Sequence, residues 1–246
     1  MTTELRIAFH QSLDEIDGHV TQLFALVTEG LAAATDALLS GDREAGLAVV
    51  QKDLVVDEMY QRVEELTLRE VALQGPVASE LRFLLLVLRI VPELERSGDL
   101  VEHIAARAAR GLAEELTPRI RGLVDQMGRV GVELWRMAAD AYGERDGSAA
   151  RRIELGDDEL DELHNSLTAE IASGSVSLPV AIEMALVGRF YERLGDHAVN
   201  IARRMAYTGR TREPPPPPPE PPLSDPSLSD PPLSNPPLPD ATTAAE

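Results

Sequence analysis

Apolar side chains recur at intervals of three and four residues along most of the chain, from residue 4 to residue 209. This spacing places them on one side of an α-helix and is typical of helices that bury one face. The first such stripe comprises Leu5, Phe9, Leu13, Ile16, Val20, Leu23, Leu26 and Val27. A second comprises Leu47, Val50, Leu54, Met59, Val63, Leu66 and Val71. No segment alternates apolar and polar residues as a strand does, so the pattern predicts an all-α protein.

Helix-breaking and capping residues divide this pattern into six predicted helices. The first ends at the sequence Ser40-Gly41-Asp42, and the Asp42 side chain can cap the second. The third helix is expected to end at Leu116, because Thr117 and Pro118 form a typical helix start. The predicted helices cover approximately residues 4–40, 43–74, 77–116, 118–142, 148–172 and 179–207.

Two acidic motifs occur twice and in the same order. The stretch ERSGDLVEHIAAR begins at Glu95, and ERLGDHAVNIARR begins at Glu192, with seven of thirteen positions identical. Upstream of each lies a D-x-x-x-D-E motif, in KDLVVDEMY on the second helix and GDDELDELH on the fifth. This order predicts an internal duplication of three-helix units. We therefore expect two tandem pseudo-symmetric three-helix bundles, residues 1–116 and 117–210.

The duplicated motifs place carboxylates four residues apart, on one face of each helix. Two like charges at this spacing repel each other, so a bound cation is one way to stabilise them. Carboxylate oxygens suit Mg²⁺, Mn²⁺ or iron. Pairs from adjacent helices would give two sites, with His103 and Asn200 as possible additional ligands. Solvated acidic helix faces are the alternative interpretation. The predicted metal ligands are Asp53, Asp57, Glu95 and Asp99 in the first half and Asp157, Asp161, Glu192 and Asp196 in the second.

Three residues around the motifs have conformational consequences. Gly98 and Gly195 lie inside predicted helices, where glycine is less stable than alanine by about 1 kcal/mol. We expect both to permit close approach of a neighbouring helix. Pro92 precedes only the first Glu-Arg-x-Gly-Asp motif, and it should kink the third helix or start it afresh. The first site is therefore expected to differ in shape from the second.

Composition narrows the possible partners and chemistry. The net charge of −19 argues against a nucleic-acid partner and against direct membrane insertion. The most apolar run, Leu81 to Val91, contains two arginines and is too short to span a bilayer. The chain has no cysteine, which excludes disulfides and thiolate metal sites. Residues 211–246 contain 14 of the 18 prolines and are predicted to form a disordered tail.

The sequence offers little support for an enzyme. It contains no P-loop and no Gly-x-Ser-x-Gly nucleophile elbow. The Glu-x-x-His motifs of di-iron bundles are also missing. The nearest case is Glu102, which directly precedes His103 and therefore has the wrong spacing. We therefore predict no catalytic residues and a non-enzymatic protein. A metal-dependent enzyme that uses the same carboxylates, or a purely structural helical protein, remains the alternative.

Together, the paired D-x-x-x-D and E-R-x-G-D-x-x-x-x-I motifs resemble the PhoU family of phosphate-uptake regulators. The phrases LQGPVASELR and ERLGDHAVNIA carry the resemblance most closely, and it extends over about residues 3–209. Arg96 and Arg193 match the arginine that follows the family glutamate. Ser97 and His103 depart from the family pattern.

The resemblance implies a cytoplasmic negative regulator of phosphate uptake and of the phosphate-starvation response. It implies action with a phosphate ABC transporter ATPase subunit and a sensor histidine kinase, at the inner face of the membrane through these proteins. It also implies a homodimer, and a metal cofactor (Fe, Mn or Mg) held by the eight predicted carboxylates.

Overall fold

The structure of the protein is a computed structural model. It describes residues 2–210, and it describes the side chains of residues 6–207. The predicted all-α fold is confirmed, and the described residues form six α-helices and one short 3-10 helix. The helices are α1 (Thr2–Ser40), α2 (Arg43–Gln74), α3 (Ala78–Ala109), α4 (Pro118–Glu144), α5 (Ala150–Ala172) and α6 (Leu178–Arg210). The predicted proline-rich tail, residues 211–246, lies outside the described residues.

The helix ends largely follow the predicted capping residues. The Asp42 carboxylate accepts a hydrogen bond from the Ala45 amide, and the Thr117 hydroxyl accepts one from the Ile120 amide. Gly75 ends α2 in the left-handed region, with φ of 54°. These three local signals therefore determined where α2 and α4 begin and where α2 ends.

The predicted end of the third helix was wrong. Instead of continuing to Leu116, α3 ends at Ala109, and Gly111 follows with φ of 76°. Leu112–Glu115 then form the 3-10 helix. A residue in the left-handed conformation cannot continue a right-handed helix, which is why the chain turns here before α4.

Pro92 lies inside α3 and does not divide it. The helix is continuous from Ala78 to Ala109, so the expectation of a fresh helix start at Pro92 was wrong. The surrounding core explains the continuity: Ile90, Val91 and Leu94 next to the proline are buried. Tertiary packing thus holds a helix that the local sequence disfavours.

Packing follows the predicted duplication. In the first half α1, α2 and α3 pack against one another, and in the second half α4, α5 and α6 do the same. The halves meet through two further contacts, α1 with α4 and α3 with α6. One continuous core results, and Trp135 and Met127 lie fully buried within it.

In the described part of the chain, α1 is the one helix that is long and apolar enough to cross a membrane. Its apolar residues are core residues of the bundle, however. Ile16, Val20, Leu23, Phe24 and Leu31 are all buried at contacts with the other helices. Packing inside the protein therefore accounts for the apolar composition of α1.

Candidate metal centre

The fold brings the predicted carboxylates together in two clusters. The first cluster is Asp53 and Asp57 on α2 with Glu95 and Asp99 on α3. The second is Asp157 and Asp161 on α5 with Glu192 and Asp196 on α6. Within each cluster the carboxylates lie close enough to raise one another's pKa across the two helices. The sequence prediction of these pairings is therefore correct in its geometry, while metal binding stays a prediction.

The first cluster is the tighter of the two. One oxygen each from Asp53, Asp57 and Asp99 lies within 4.8 Å of the other two. Oxygens bound to a single Ca²⁺ or Mg²⁺ ion lie about 2.0–2.6 Å from it, so atoms this close together can share one ion. Among the described side chains, no second group of three acidic or imidazole residues converges to the same degree.

Each cluster contains an aspartate that occupies the space beside a helical glycine. A Cβ atom on Gly98 would lie 3.3 Å from Asp53 Oδ1 and 2.9 Å from Val56 Cγ1. A Cβ atom on Gly195 would overlap the Asp157 carboxylate. The repeated glycines therefore do permit close approach, as predicted. The first aspartate of each D-x-x-x-D motif is among the groups that approach these glycines. The sequence did not reveal this contact.

These two aspartates are the most perturbed acids of the clusters. Burial, followed by the neighbouring carboxylates, raises the pKa of Asp53 to about 6 and that of Asp157 to about 7. Their Oδ1 atoms are buried and have no hydrogen-bond partner. A buried carboxylate oxygen without a donor is destabilising unless a proton or a cation satisfies it. Both clusters thus present an unsatisfied inward-facing oxygen at the equivalent position.

The second cluster differs from the first at its glutamate. Arg189, one turn before Glu192, forms an ion pair with Glu192 Oε1. The equivalent position in α3 is Pro92, which cannot form such a pair with Glu95. The first site therefore lacks a positive charge that the second site has beside its glutamate. The predicted difference in shape at Pro92 stays a prediction.

The predicted additional ligands His103 and Asn200, and the motif arginines Arg96 and Arg193, form no hydrogen bond or ion pair with the cluster carboxylates in the described part of the chain. His103 Nδ1 lies 2.6 Å from Glu102 Oε2, and its ring packs against Phe190. Arg96 pairs with Glu93 at 3.1 Å. In the described part of the chain, Arg193 and Asn200 form no hydrogen bond or ion pair with the second cluster.

Glu102, which the duplicated motifs did not indicate, lies near the first cluster. Its charge contributes to the raised pKa of Asp53 and of Asp99. Its position three residues after Asp99 places it on the same helix face, which is the signal that could have identified it. The second cluster has Val199 at the equivalent position and Asp158 as its additional acid.

A buried polar network where α3 meets α6 was also missed. Glu93 is only 4% exposed and pairs with Arg204 at 2.8 Å and with Arg96 at 3.1 Å. His197 lies 3.9 Å from the same carboxylate, and its Nδ1 is 2.9 Å from the Ser97 hydroxyl. Burial lowers the pKa of His197. This network joins the two repeats, because Glu93 and Ser97 lie on α3 whereas His197 and Arg204 lie on α6.

Comparison with known proteins explains the duplicated arrangement. A sequence model described as the PhoU domain matches the chain twice, over residues 20–108 and 124–205. Each match contains one complete carboxylate cluster. The chain belongs to the PhoU family.

Individual PhoU proteins align over most of this chain. It is 32% identical over 206 residues to "Phosphate-specific transport system accessory protein PhoU homolog 1" of Mycobacterium leprae, covering 82% of this chain and 93% of the relative. It is equally similar to PhoU homolog 2 of Mycobacterium tuberculosis, covering 97% of that protein. The PhoU resemblance in the sequence is therefore confirmed at the level of whole proteins.

Solved PhoU structures share the fold. The crystal structure of PhoU from Pseudomonas aeruginosa superimposes with a TM-score of 0.76 at 27% identity, covering 82% of this chain and 99% of that one. The phosphate transport system regulatory protein PhoU from Streptococcus pneumoniae gives 0.75 at 26% identity, with 82% and 97% coverage. The six-helix, two-repeat architecture is thus that of the PhoU family.

Proposed function

We propose that this protein is a non-enzymatic negative regulator of phosphate uptake and of the phosphate-starvation response. The observation that carries the proposal is the double match to the PhoU domain, with a carboxylate cluster in each copy. The similar mycobacterial proteins are named as accessory proteins of a phosphate-specific transport system. An accessory role needs binding surfaces rather than a catalytic centre, which agrees with a sequence that offers no nucleophile.

The proposed partners are the ATPase subunit of a phosphate ABC transporter and a sensor histidine kinase. Their binding would place the protein at the cytoplasmic face of the membrane. A net charge of −19 disfavours contact with anionic lipids, so protein partners supply the membrane association. Regulation then follows from linkage, since a partner that binds one state of the protein better shifts the population toward that state. We also propose that the protein self-associates.

Metal binding at the two clusters is the second part of the proposal. The first site would use Asp53, Asp57, Glu95 and Asp99, and the second would use Asp157, Asp161, Glu192 and Asp196. The buried, unpartnered oxygens of Asp53 and Asp157 support this assignment, because a cation would satisfy them. Oxygen donors alone suit Mg²⁺, Mn²⁺ or iron. A bound ion would neutralise the repelling acids and hold together the two helices that supply them.

A reporter experiment tests the regulatory role. Cells that lack the protein should express phosphate-starvation genes in phosphate-rich medium, and the wild-type gene should restore repression. Unchanged reporter expression in the deletion strain would contradict the proposed function. Expression that rises only under phosphate limitation, both with and without the protein, would likewise contradict the proposed function.

Metal content of purified protein, measured by mass spectrometry, tests the proposed sites. The double change Glu192→Ala with Asp196→Ala should reduce the retained iron, manganese or magnesium. Glu133→Ala with Asp140→Ala is the matched control, because it removes two exposed acids from α4 outside both clusters. A wild-type protein that neither retains nor takes up any of these metals would exclude the metal sites. The regulatory role would be judged separately by the reporter.

A further inference from the structure

The glutamate of the second cluster already has a cation beside it. Arg189 lies three residues before Glu192 on α6, and its guanidinium forms an ion pair with Glu192 Oε1. Burial raises the pKa of Glu192, and among the charged neighbours Arg189 has the largest effect and opposes that rise. The protein itself therefore partly neutralises one of the four acids of this cluster.

The ion pair satisfies only one of the two oxygens of Glu192. Glu192 Oε2 is buried and has no hydrogen-bond partner. The side chain of Glu192 is 16% exposed, whereas that of Arg189 is 53% exposed. A guanidinium with this exposure can return to water when it leaves the carboxylate, and an exposed ion pair contributes little to stability. Arg189 is therefore a counter-ion that another cation can displace.

The first cluster has no such counter-ion at its glutamate. Pro92 occupies the position three residues before Glu95, and its side chain carries no charge. Burial and the neighbouring acids raise the pKa of Glu95, and of these effects the opposing one from Arg96 is the smallest. The Arg96 guanidinium pairs with Glu93 at 3.1 Å instead. The two clusters therefore share their four acids and differ in the charge beside the glutamate.

We propose that Arg189 competes with the metal ion at the second cluster, so that the first cluster binds a cation more tightly and fills first. This inference rests on the metal sites in the proposed function. A cation that uses Glu192 as a ligand must take Oε1 from the guanidinium or bind beside a positive charge, and both are unfavourable. The converging oxygens of Asp53, Asp57 and Asp99 favour the first cluster in addition.

Manganese binding to each cluster on its own tests the proposal. Glu95→Ala with Asp99→Ala leaves the second cluster intact, and Asp157→Ala with Asp161→Ala leaves the first cluster intact. After treatment with a chelator, each protein is titrated with Mn²⁺, and electron paramagnetic resonance measures the free ion. The first cluster should bind Mn²⁺ more tightly than the second.

Arg189→Gln removes the competing charge. In the protein that retains only the second cluster, this change should tighten Mn²⁺ binding about five-fold, as expected for the loss of one exposed ion pair. In the protein that retains only the first cluster, it should have no effect. Arg136→Gln is the matched control, because it removes the same charge from an exposed position on α4 outside both clusters. It should leave both affinities unchanged.

Pro92→Arg tests the same reasoning in the opposite direction. It places a guanidinium three residues before Glu95, which is the spacing of Arg189 and Glu192. In the protein that retains only the first cluster, this change should weaken Mn²⁺ binding by a similar factor. Circular dichroism verifies that each variant is folded.

Urea unfolding distinguishes competition from a purely structural role of Arg189. Without metal, Arg189→Gln should unfold at a lower urea concentration than the wild type, because Glu192 loses its ion pair. Added Mn²⁺ should then stabilise the variant more than the wild type, since a ligand that binds the folded state more tightly stabilises it more. An arginine with only a structural role would lower the urea midpoint equally with and without Mn²⁺.

The outcomes separate this inference from the proposed metal sites. If neither cluster binds Mn²⁺, the metal sites are wrong, and the competition is wrong with them. If Mn²⁺ binds but Arg189→Gln leaves the affinity of the second cluster unchanged, the metal sites stand and the competition is wrong. Weaker binding in Arg189→Gln would also overturn it, because the arginine would then orient Glu192 as a ligand. Equal tightening by Arg136→Gln would show an effect of net charge and overturn the specific role of Arg189.

Discussion

Replacing Asp157 by asparagine should stabilise the metal-free protein at pH 8. Burial and the neighbouring acids raise the pKa of this carboxyl from its ordinary 3.8 to about 7. The ionised form is therefore less favourable in the folded protein than in the unfolded chain. An amide of the same shape removes the charge, and its N–H groups can donate to the remaining carboxylates of the cluster.

The pKa shift determines the size and the pH range of the effect. A rise of about 3 units corresponds to about 4 kcal/mol of lost stability once the group is ionised in both states. Asp157 is only partly buried, so solvent screening reduces this to about 2 kcal/mol. Because the folded-state pKa is raised, the stability contribution is complete below about pH 4 and is lost as the pH rises through 7. The variant should therefore gain about 2 kcal/mol over the wild type at pH 8 and almost nothing near pH 4.

Urea unfolding after treatment with a chelator measures this difference. Fluorescence of Trp135, the single tryptophan, which is fully buried, reports the transition. Asp140→Asn is the control: Asp140 is an exposed acid on α4 outside both clusters, and its replacement should change the free energy of unfolding by less than about 0.5 kcal/mol. If Asp157→Asn destabilises the protein at pH 8 as much as at pH 4, the reasoning is refuted, because the buried charge would not be the source of the instability.

Two further predictions concern the surroundings of the clusters. Gly195→Ala should lower the metal retained by the second cluster, because the new methyl group displaces the Asp157 carboxylate. Gly122→Ala is the control, because a Cβ atom there would meet no atom within 4 Å. This variant should retain metal fully and gain up to about 1 kcal/mol in unfolding free energy. Equal metal content in the two variants would contradict the role of Gly195. Glu93→Ala should lower the free energy of unfolding by about 2 kcal/mol, because Arg96 and Arg204 both lose their ion pair with this buried acid. The loss stays moderate because both arginines are partly exposed to solvent. Glu64→Ala removes an exposed acid and should shift the urea midpoint little, and a similar shift for both changes would show that the α3–α6 network contributes nothing measurable.

Local signals in the sequence predicted most of the helical architecture. The helix starts at Asp42 and Thr117 were correct because capping depends on a few neighbouring residues. The errors occurred where packing or backbone conformation overrides local preference. Pro92 is held inside α3 by the surrounding core. Because Gly111 adopts the left-handed conformation, α3 ends before Leu116, where the sequence predicted its end.

The candidate site shows the same division. Four-residue spacing alone placed the carboxylates of each pair on one helix face, and the duplicated order predicted which pairs would face each other. The sequence could not show that Asp53 and Asp157 enter the space beside Gly98 and Gly195, since that depends on the distance between packed helices.

The sequence by itself therefore determined the helices, the duplication, the family and the identity of the acids, because these follow from periodicity and repetition along the chain. Only the tertiary structure decided how deeply each acid is buried and which partners it has. It brought three carboxylates of the first cluster together, paired Glu93 on α3 with Arg204 on α6, and buried Glu93 between the repeats. The physical reason is that desolvation and ion pairing depend on the distances between helices far apart in sequence, and helical periodicity does not specify those distances.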